Sequence, residues 1–417
     1  MRWRIAVLVS AAIAISYLDR QTLPVAIRAI GRDIPLTSVQ FAYLQSAFLV
    51  AYAFMYAGGG KLSDVLGTRR GFTIIMLFWS LACLSHALAA NFAMLATSRF
   101  LLGVGEGGGF PAATRAVAEW FPLKERSTAM GIINAGTAVG AVAAPPLIAA
   151  ILLFANWRWI FVFTGLLGLA WTAWWRIVYF APSDHPKLSI QERELTQSLA
   201  EPSTMHKIPW LALLRIRETW GLVLAKFLSD AAWYFYLFWV PKYLYDARGF
   251  DVKRAGYFAW IPYAAAGAGC LLGGWLSGWL IRRGHSLNFS RKLALGLSAA
   301  VMPSVALVNY VPVQLAIALL SLVFFGQQSW STLVMVLPAD LFPHRLVGSV
   351  AGLVGFGGAM GGVVFELIAG RLLDHGYGYS TLFAIVSTLH VVAFLLILGT
   401  VRAGKLPGLR KCYAGLS

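Results

Sequence analysis

Charged residues are scarce in this chain of 417 residues: they make up 12% of it, whereas a soluble globular chain carries about 25%. Acidic residues are the scarcer kind, with 17 Asp and Glu against 34 Lys and Arg, so the formal net charge is +17. Hydrophobic residues make up 59% and come in long runs along the whole chain. An ordinary soluble protein is therefore excluded, and the positive charge fits basic loops beside a membrane better than a nucleic-acid interface.

Cysteine is also rare. The three cysteines, Cys83, Cys270 and Cys412, are an odd number whose spacing matches neither a disulfide framework nor a metal site. The first apolar run continues to about Ile27 without a convincing cleavage site for a signal peptide, so we expect it to remain as a membrane span. The sequence also offers no ATP-binding loop and no catalytic triad, and we do not expect an enzyme.

The apolar runs are long enough to cross a bilayer, because a core of about 30 Å requires about 20 apolar residues in a helix. Twelve such spans would place both termini on one side. Lys and Arg are more numerous in the termini and the even-numbered loops than in the odd-numbered loops, which predicts that both termini face the cytoplasm. The runs lie near residues 4–27, 40–60, 71–90, 94–118, 127–152, 159–181, 219–245, 254–281, 292–310, 312–338, 346–370 and 379–401.

A polar connection over residues 182–218 divides the chain into an N-terminal bundle, residues 1–181, and a C-terminal bundle with a short tail, residues 219–417. An internal repeat supports this division. The segment 118–122, Ala-Glu-Trp-Phe-Pro, recurs at 339–343 as Ala-Asp-Leu-Phe-Pro, and at the same spacing Gly131, Gly136 and Gly140 recur as Gly352, Gly357 and Gly361. Repeats that pack around a central site are typical of secondary transporters.

The loop after the second run resembles the signature loop of the major facilitator superfamily. It reads Gly60-Lys-Leu-Ser-Asp64-Val-Leu-Gly67-Thr-Arg69-Arg70, and a degenerate copy near Gly274 has Gly278 in place of the Asp. The resemblance implies an all-α membrane protein with twelve transmembrane helices in two six-helix bundles. It also implies that Asp64, Arg69 and Arg70 act as a gating latch.

Two further stretches resemble the anion:cation symporters of that superfamily: Tyr17-Leu-Asp19-Arg20, and residues 99–111 with Arg99 and Glu106. The stretches 118–127, 258–262, 269–274 and 290–292 resemble the bacterial hexuronate branch of those symporters. The resemblance implies a proton-coupled symporter of the bacterial inner membrane that imports an acidic sugar, galacturonate or glucuronate, by alternating access. The alternatives are a carrier of another organic anion, such as an aldonate or glucarate, and a membrane sensor without transport. We expect a sugar anion, protons and the lipid bilayer as partners, no cofactor, no nucleic acid, and a monomer.

Ionisable side chains within a span are costly unless they face a partner or water, so they are functional candidates. Arg20 can hold a carboxylate with two parallel hydrogen bonds and keeps its charge, which suits capture of an anion. Tyr17 shares its helix face, whereas Asp19 points about 100° away toward a neighbouring span. The alternative is that Arg20 pairs permanently with Asp19 or Glu106.

Glu106 lies among glycines that let neighbouring spans approach closely. A substrate anion and Glu106 would compete for one arginine, and the displaced carboxylate would then take up a proton. We therefore expect Asp19 and Glu106 to carry protons, as the family resemblance also implies. The alternative is a structural pair of Glu106 with Arg99, two turns away on the same face.

The second half of the chain offers further polar side chains within spans. Lys226 and Asp230 lie on one helix face, where they contact the substrate or neutralise each other. The tenth run contains amides and hydroxyls that suit a polyol, while Tyr52 and Asn134 are weaker candidates that could instead bond between helices; Glu366 and Arg115 are expected at the membrane interface. The substrate-binding candidates are Tyr17, Arg20, Tyr52, Arg99, Asn134, Lys226, Asp230, Trp233, Gln327, Gln328 and Trp330.

Overall fold

The computed structural model describes residues 1–186, 213–342 and 344–401, without the side chains of residues 57, 59–64, 123, 124, 126–128, 344–346 and 348. Within these residues the chain forms helices joined by short connections, and no strand is present. The prediction of an all-α chain is confirmed. The tail after residue 401 and most of the predicted connection 182–218 lie outside the described residues.

Six helices precede this connection: α1 (Arg2–Asp33), α2 (Ser38–Ser85), α3 (Phe92–Gly107), α4 (Gly109–Trp120), α5 (Leu123–Phe154) and α6 (Arg158–Val178). Side chains define several of their starts. Thr37 and Gln40 exchange hydrogen bonds in a capping box before α2, and the Asn91 side chain caps α3 through the Met94 amide. The range of α2 covers the predicted second and third runs, and its backbone is not helical at Gly67, where φ is +74° and the helix bends.

Seven helices follow: α7 (Arg217–Asp246), α8 (Val252–Phe258), α9 (Ile261–Arg282), α10 (Leu287–Ala300), α11 (Val313–Leu341), α12 (His344–Asp374) and α13 (Gly378–Thr400). Asp251 caps α8 through the Arg254 amide, and Ser286 caps α10 through the Phe289 amide. A 3₁₀ helix, Met302–Tyr310, follows α10 and replaces the second half of the α-helix predicted over residues 292–310.

Ten helical segments of the described chain are long and apolar enough to cross a membrane. Two of the twelve predicted spans are not among them, each for a physical reason. The run 94–118 is interrupted at Gly108 into α3 and α4, of 16 and 12 residues. Helix α7 is long enough at 30 residues but carries Lys226 and Asp230.

The chain divides into two compact units. The first unit contains α1 to α6 together with the segment Leu244–Trp260, which the sequence places in the C-terminal bundle; the second unit contains the other described helices. Polar groups of that segment find partners in the first unit. The Tyr245 hydroxyl donates to the carbonyl oxygen of Val25 over 3.0 Å, and Arg28 donates to the carbonyl oxygen of Phe250 over 2.9 Å.

The repeat in the sequence is also a repeat in packing. Gly136 and Gly140 of α5 press against the backbone of α1 at Ser10 and Ala14. In the second unit, Gly357 and Gly361 of α12 press in the same way against α7. Their contacts are Val223 and Phe227, which have the same spacing as Ser10 and Ala14, so α1 and α7 occupy equivalent places in their own units.

Candidate functional site

Arg20 lies at the centre of a polar cluster in the first unit. Its side chain is 2% exposed, and its Nε atom lies 2.6 Å from an oxygen of Glu106. Aromatic rings surround the guanidinium, with ring centroids 4.8 Å away for Tyr17 and 4.5 Å away for Tyr52. Aromatic faces attract a cation, so these rings hold the guanidinium in place while leaving its hydrogen bonds for anions.

Glu106 reaches the cluster from α3. One carboxylate oxygen accepts hydrogen bonds from Arg20 and, over 2.7 Å, from the Ser16 hydroxyl. The other oxygen, Oε1, is buried and has no hydrogen-bond partner among the described residues. Arg20 is therefore the one cation that hydrogen-bonds this carboxylate among the described residues.

Arg99 lies two turns before Glu106 on α3 and is completely buried. Its guanidinium donates to the side-chain carbonyl of Gln45 in α2 and lies 4.9 Å from the ring centroid of Phe48. The first unit thus holds a second buried guanidinium beside the ion pair of Arg20 and Glu106.

Asp19 points away from Arg20, toward Trp79 of α2 and Thr164 of α6, as the helix geometry predicts. The Trp79 indole donates to one oxygen over 2.7 Å, and the Cys83 thiol lies 3.5 Å from the other. Close packing makes this possible, because a Cβ atom at Gly105 would come within 2.7 Å of the Trp79 backbone. Asp19 is therefore a buried carboxylate surrounded by neutral donors, while Glu106 has an arginine.

Lys226 and Asp230 form an ion pair in the second unit. The Lys226 ammonium lies 2.8 Å from an Asp230 oxygen and 3.1 Å from the Ser331 hydroxyl, and each residue of the pair is 7% exposed. The self-neutralising arrangement considered from the sequence is the one observed. The side chain of Ser331 joins α11 to this pair on α7.

The remaining candidates lie at several places. Trp233 packs edge to face on Phe324, and Gln327 is buried with its Oε1 atom unpartnered in the described chain. Gln328 is half-buried, with the Cys270 thiol 3.9 Å from its Oε1 atom. Trp330 belongs to the apolar core of the second unit, where it contacts His390, and Asn134 is half-buried on α5. The structure thus gathers Tyr17, Arg20, Tyr52, Arg99 and Glu106 in one unit and Lys226 and Asp230 in the other.

Comparison with known proteins agrees with this arrangement of helices. The family model of the Major Facilitator Superfamily matches residues 9–366. The chain belongs to the Major Facilitator Superfamily. The family and the related proteins are transporters, not enzymes.

The relatives of this superfamily member include a hexuronate transporter of Escherichia coli (strain K12), 32% identical over 95% of this chain and 93% of the relative. A galacturonate transporter of Dickeya chrysanthemi is 34% identical over 72% of this chain and 89% of the relative. Among solved structures, the xylose transporter XylE from E. coli in an inward open conformation has a TM-score of 0.77 at 13% identity and covers 99% of both chains. The likeness to XylE shows that this multi-pass membrane protein and XylE share a fold.

The signature loop of the superfamily lies at the bend of α2. Arg69 donates to the carbonyl oxygen of Arg176 over 2.6 Å, and its guanidinium lies 3.9 Å from the ring centroid of Phe180. Arg70 is exposed, and the side chain of Asp64 lies outside the described residues. The latch role of these three residues stays a prediction.

Sequence reasoning missed the neutral partners of the charged groups. Ser16 bonds Glu106, Gln45 bonds Arg99, and Trp79, Cys83 and Thr164 surround Asp19. A signal was available for some of them: Ser16 precedes Arg20 by four residues on the same face, and Trp79 and Cys83 are related in the same way. Glu366 was also misplaced, because it is completely buried and accepts a hydrogen bond from Trp239 over 2.6 Å instead of lying at the interface.

Proposed function

We propose that this superfamily member is a proton-coupled symporter that imports an acidic sugar, most specifically a hexuronate such as galacturonate or glucuronate. The names of the relatives support the substrate class, because a hexuronate transporter and a galacturonate transporter are among them. One structural observation carries the proposal: the buried ion pair between Arg20 and Glu106 joins an anion-binding group directly to a proton-accepting group.

The coupling follows from competition for Arg20. In the structure, Arg20 Nε and the Ser16 hydroxyl both donate to Glu106 Oε2. A substrate carboxylate that takes two hydrogen bonds from Arg20 displaces Glu106, and a buried carboxylate without a cation takes up a proton. Release of the substrate reverses both steps, so the sugar acid and the proton move in the same direction. Asp19 is the second proton carrier in this proposal.

The residues of the second unit at equivalent positions support the assignment of proton coupling to the first unit. The packing that matches α1 with α7, extended along both helices, puts Ala232 and Trp233 at the positions of Asp19 and Arg20. The glycine repeat of α5 and α12, extended back along the chain at the same spacing, puts Gln327 at the position of Glu106. The coupling charges of the first unit thus have neutral counterparts in the second.

The proposal includes the topology that alternating access requires. The twelve spans are the ten apolar segments, the interrupted pair α3 and α4, and the polar helix α7. We place the protein in the bacterial inner membrane as a monomer with both termini in the cytoplasm, as the Lys and Arg distribution predicts.

Uptake of labelled galacturonate into proteoliposomes under an imposed pH gradient tests the function. We expect accumulation with an acidic exterior and none when a protonophore dissipates the gradient. A panel of glucuronate, galactonate and glucarate as competitors distinguishes a hexuronate carrier from a carrier of another sugar acid. If the protein accumulates none of these acids, the proposed function is wrong.

Uptake into the same proteoliposomes at different membrane potentials measures how many protons are transported with each anion. One proton with one monovalent anion is electroneutral, whereas a second proton lets the membrane potential contribute about 2.3 kcal/mol per 100 mV. Asp19 and Glu106 together provide two buried carboxylates, so we expect a potential that is negative inside to increase accumulation.

A further inference from the structure

A chain of hydrogen-bonding groups runs from Asp19 into the contact between α2 and α6. The Cys83 sulfur of α2 lies 3.5 Å from Asp19 Oδ1 and 3.1 Å from the hydroxyl oxygen of Thr164, which also faces the carboxylate from α6. The carbonyl oxygen of Phe161 lies 3.8 Å from the same sulfur. Asp19, Cys83 and Thr164 are each at most 1% exposed, so their polar groups depend on one another for hydrogen bonds.

The two oxygens of the Asp19 carboxylate face different chemistry. Oδ2 accepts from the indole N–H of Trp79 over 2.7 Å, and an indole can donate a hydrogen bond but cannot accept one. Oδ1 faces the thiol of Cys83, and thiol and hydroxyl groups can both donate and accept. A proton on Oδ2 would therefore oppose the indole N–H, whereas a proton on Oδ1 finds an acceptor.

We propose that the proton carried by Asp19 is held on Oδ1, and that Thr164 and Cys83 are positioning residues whose hydrogen bonds reverse when the proton arrives. This inference rests on the proposed function, because it takes Asp19 as a proton carrier. It deepens that function by specifying the oxygen that takes the proton and the groups that hold it there.

The hydrogen bonds balance in both states of Asp19. Before uptake, the thiol of Cys83 and the hydroxyl of Thr164 donate to the ionised carboxylate. After uptake, Oδ1–H donates to the Thr164 oxygen, the Thr164 hydroxyl donates to the Cys83 sulfur, and the thiol donates to the carbonyl oxygen of Phe161. One proton is added and no other covalent bond forms or breaks, so no buried donor of this chain loses its acceptor.

Other ionisable groups lie close enough to act on the charge of Asp19. Glu106 and Arg99 do so from α3, and Arg20 follows Asp19 on α1. His86, at the end of α2, bonds backbone carbonyl oxygens of the preceding turn through Nδ1, while α6 contributes a neutral hydroxyl. A spectral change that belongs to one of these groups would persist in Asp19→Asn, which separates their titration from that of Asp19.

Infrared spectroscopy of the full-length protein in proteoliposomes tests the reversal without altering the cluster. The S–H stretch absorbs where other protein groups do not, and Cys270→Ala/Cys412→Ala leaves Cys83 as the one thiol of the chain. On acidification from about pH 9 to about pH 5, we expect this band to move to higher frequency, because the thiol exchanges a charged acceptor for a neutral one. A carboxylic acid C=O band should appear over the same pH range.

Three variants in this background assign the bands. Asp19→Asn should abolish both changes, whereas Glu106→Gln should keep the shift of the S–H band. Trp79→Phe identifies the oxygen that takes the proton. With the proton on Oδ1 the carbonyl oxygen is Oδ2, so loss of the indole donor should raise the frequency of the C=O band. An unchanged C=O frequency would place the proton on Oδ2 and overturn the proposal.

Thr164→Val tests the acceptor. It removes the hydroxyl and keeps the branched shape, and we expect the acid C=O band to move to higher frequency because Oδ1–H loses its acceptor. Thr164→Ser should restore the wild-type frequency. Thr172→Val is the matched control, because it removes another buried hydroxyl of α6, which donates to the carbonyl oxygen of Gly168 over 2.8 Å. It should leave the band in place.

The outcomes separate this inference from the function on which it rests. Failure of the wild type to accumulate any sugar acid overturns the proposed function, and the infrared titration still decides where Asp19 holds its proton. If the wild type accumulates galacturonate but the S–H band stays in place on acidification, or shifts equally in Asp19→Asn, the inference is overturned and the function stands. The S–H titration leaves the cluster intact, so it decides even where one of the variants does not fold.

Discussion

Arg20 and Glu106 are joined by a buried ion pair, with 2.6 Å between Arg20 Nε and Glu106 Oε2 and with side chains that are 2% and 0% exposed. The two residues come from different helices, α1 and α3. Removing two charges from water costs about as much as their attraction returns, so a buried pair contributes little to stability. Within a membrane such a pair is better explained by a function in which its partners exchange.

Arg20→Lys should weaken galacturonate binding by about tenfold or more. Lysine keeps the charge but cannot offer the planar pair of donors, and one lost hydrogen bond to a charged group costs about 1.5–3 kcal/mol. Equilibrium binding to the purified protein measures the effect. Arg158→Lys is the control, because Arg158 pairs with Asp33 at a site where both side chains are partly exposed. Equal affinities of the two variants would contradict the role of Arg20 as the carboxylate clamp.

Glu106→Gln should retain exchange of labelled for unlabelled galacturonate but lose accumulation driven by a pH gradient. The amide keeps the shape of the side chain and cannot carry the proton, while Arg20 stays available to the substrate. Exchange and accumulation are measured in the same proteoliposomes. The control is Glu125→Gln, which removes a partly exposed carboxylate paired with Arg2 and should affect neither assay. Normal accumulation by Glu106→Gln would exclude Glu106 as an essential proton carrier.

Trp79→Phe should move the pH of half-maximal accumulation upward by about one to two units. The indole N–H donates to Asp19, and loss of a donor disfavours the ionised carboxylate by about 1.5–3 kcal/mol, at about 1.4 kcal/mol per pH unit. Asp19 would then keep its proton to a higher pH. A rate profile between pH 5 and pH 9 provides the measurement.

Trp157→Phe is the matched control for that profile. The Trp157 indole donates to Asp33 over 2.9 Å, so Trp157→Phe removes the same kind of indole–carboxylate hydrogen bond at the C-terminal end of α1. We expect its profile to coincide with that of the wild type. A shift of equal size in both variants would show that the indole of Trp79 has no special influence on Asp19.

The charged part of the site was predictable from the sequence because ionisable residues stand out within apolar runs. Spacing along one helix also placed Tyr17 with Arg20 and turned Asp19 away, and both features are observed. The contacts between helices were not predictable, because the spacing of residues along each helix allows Glu106 to pair with either Arg20 or Arg99. Packing of α3 against α2 decides which contacts form, and it depends on residues far apart in the chain.

The bounds of the helices were also difficult to predict from the apolar runs. The predicted run ends at residue 370, four residues after Glu366, but α12 continues to Asp374 and buries the Glu366 side chain against Trp239. The run 94–118 is interrupted at Gly108, and a hydropathy pattern does not report such a break. Apolar length therefore predicted the order of the helical segments better than their number and bounds.

Gly67→Ala should destabilise the protein because the bend of α2 requires a backbone conformation that suits glycine alone. At Gly67 φ is +74° and ψ is 157°, which costs a residue with a side chain about 1–3 kcal/mol. Steric collision does not contribute, since a Cβ atom there would meet nothing within 4 Å. The midpoint of thermal unfolding in detergent should therefore fall.

Gly58→Ala is a control in the same helix, α2, that separates the effect of backbone conformation from the effect of the space available to a Cβ atom. Gly58 also has nothing within 4 Å of a Cβ atom, but its φ is negative, so alanine favours the helix by about 1 kcal/mol. We expect Gly58→Ala to unfold at the wild-type midpoint or slightly above it. Equal midpoints for the two alanine variants would mean that the protein folds equally well without glycine at the bend of α2. Gly67 would then be required for transport and not for folding.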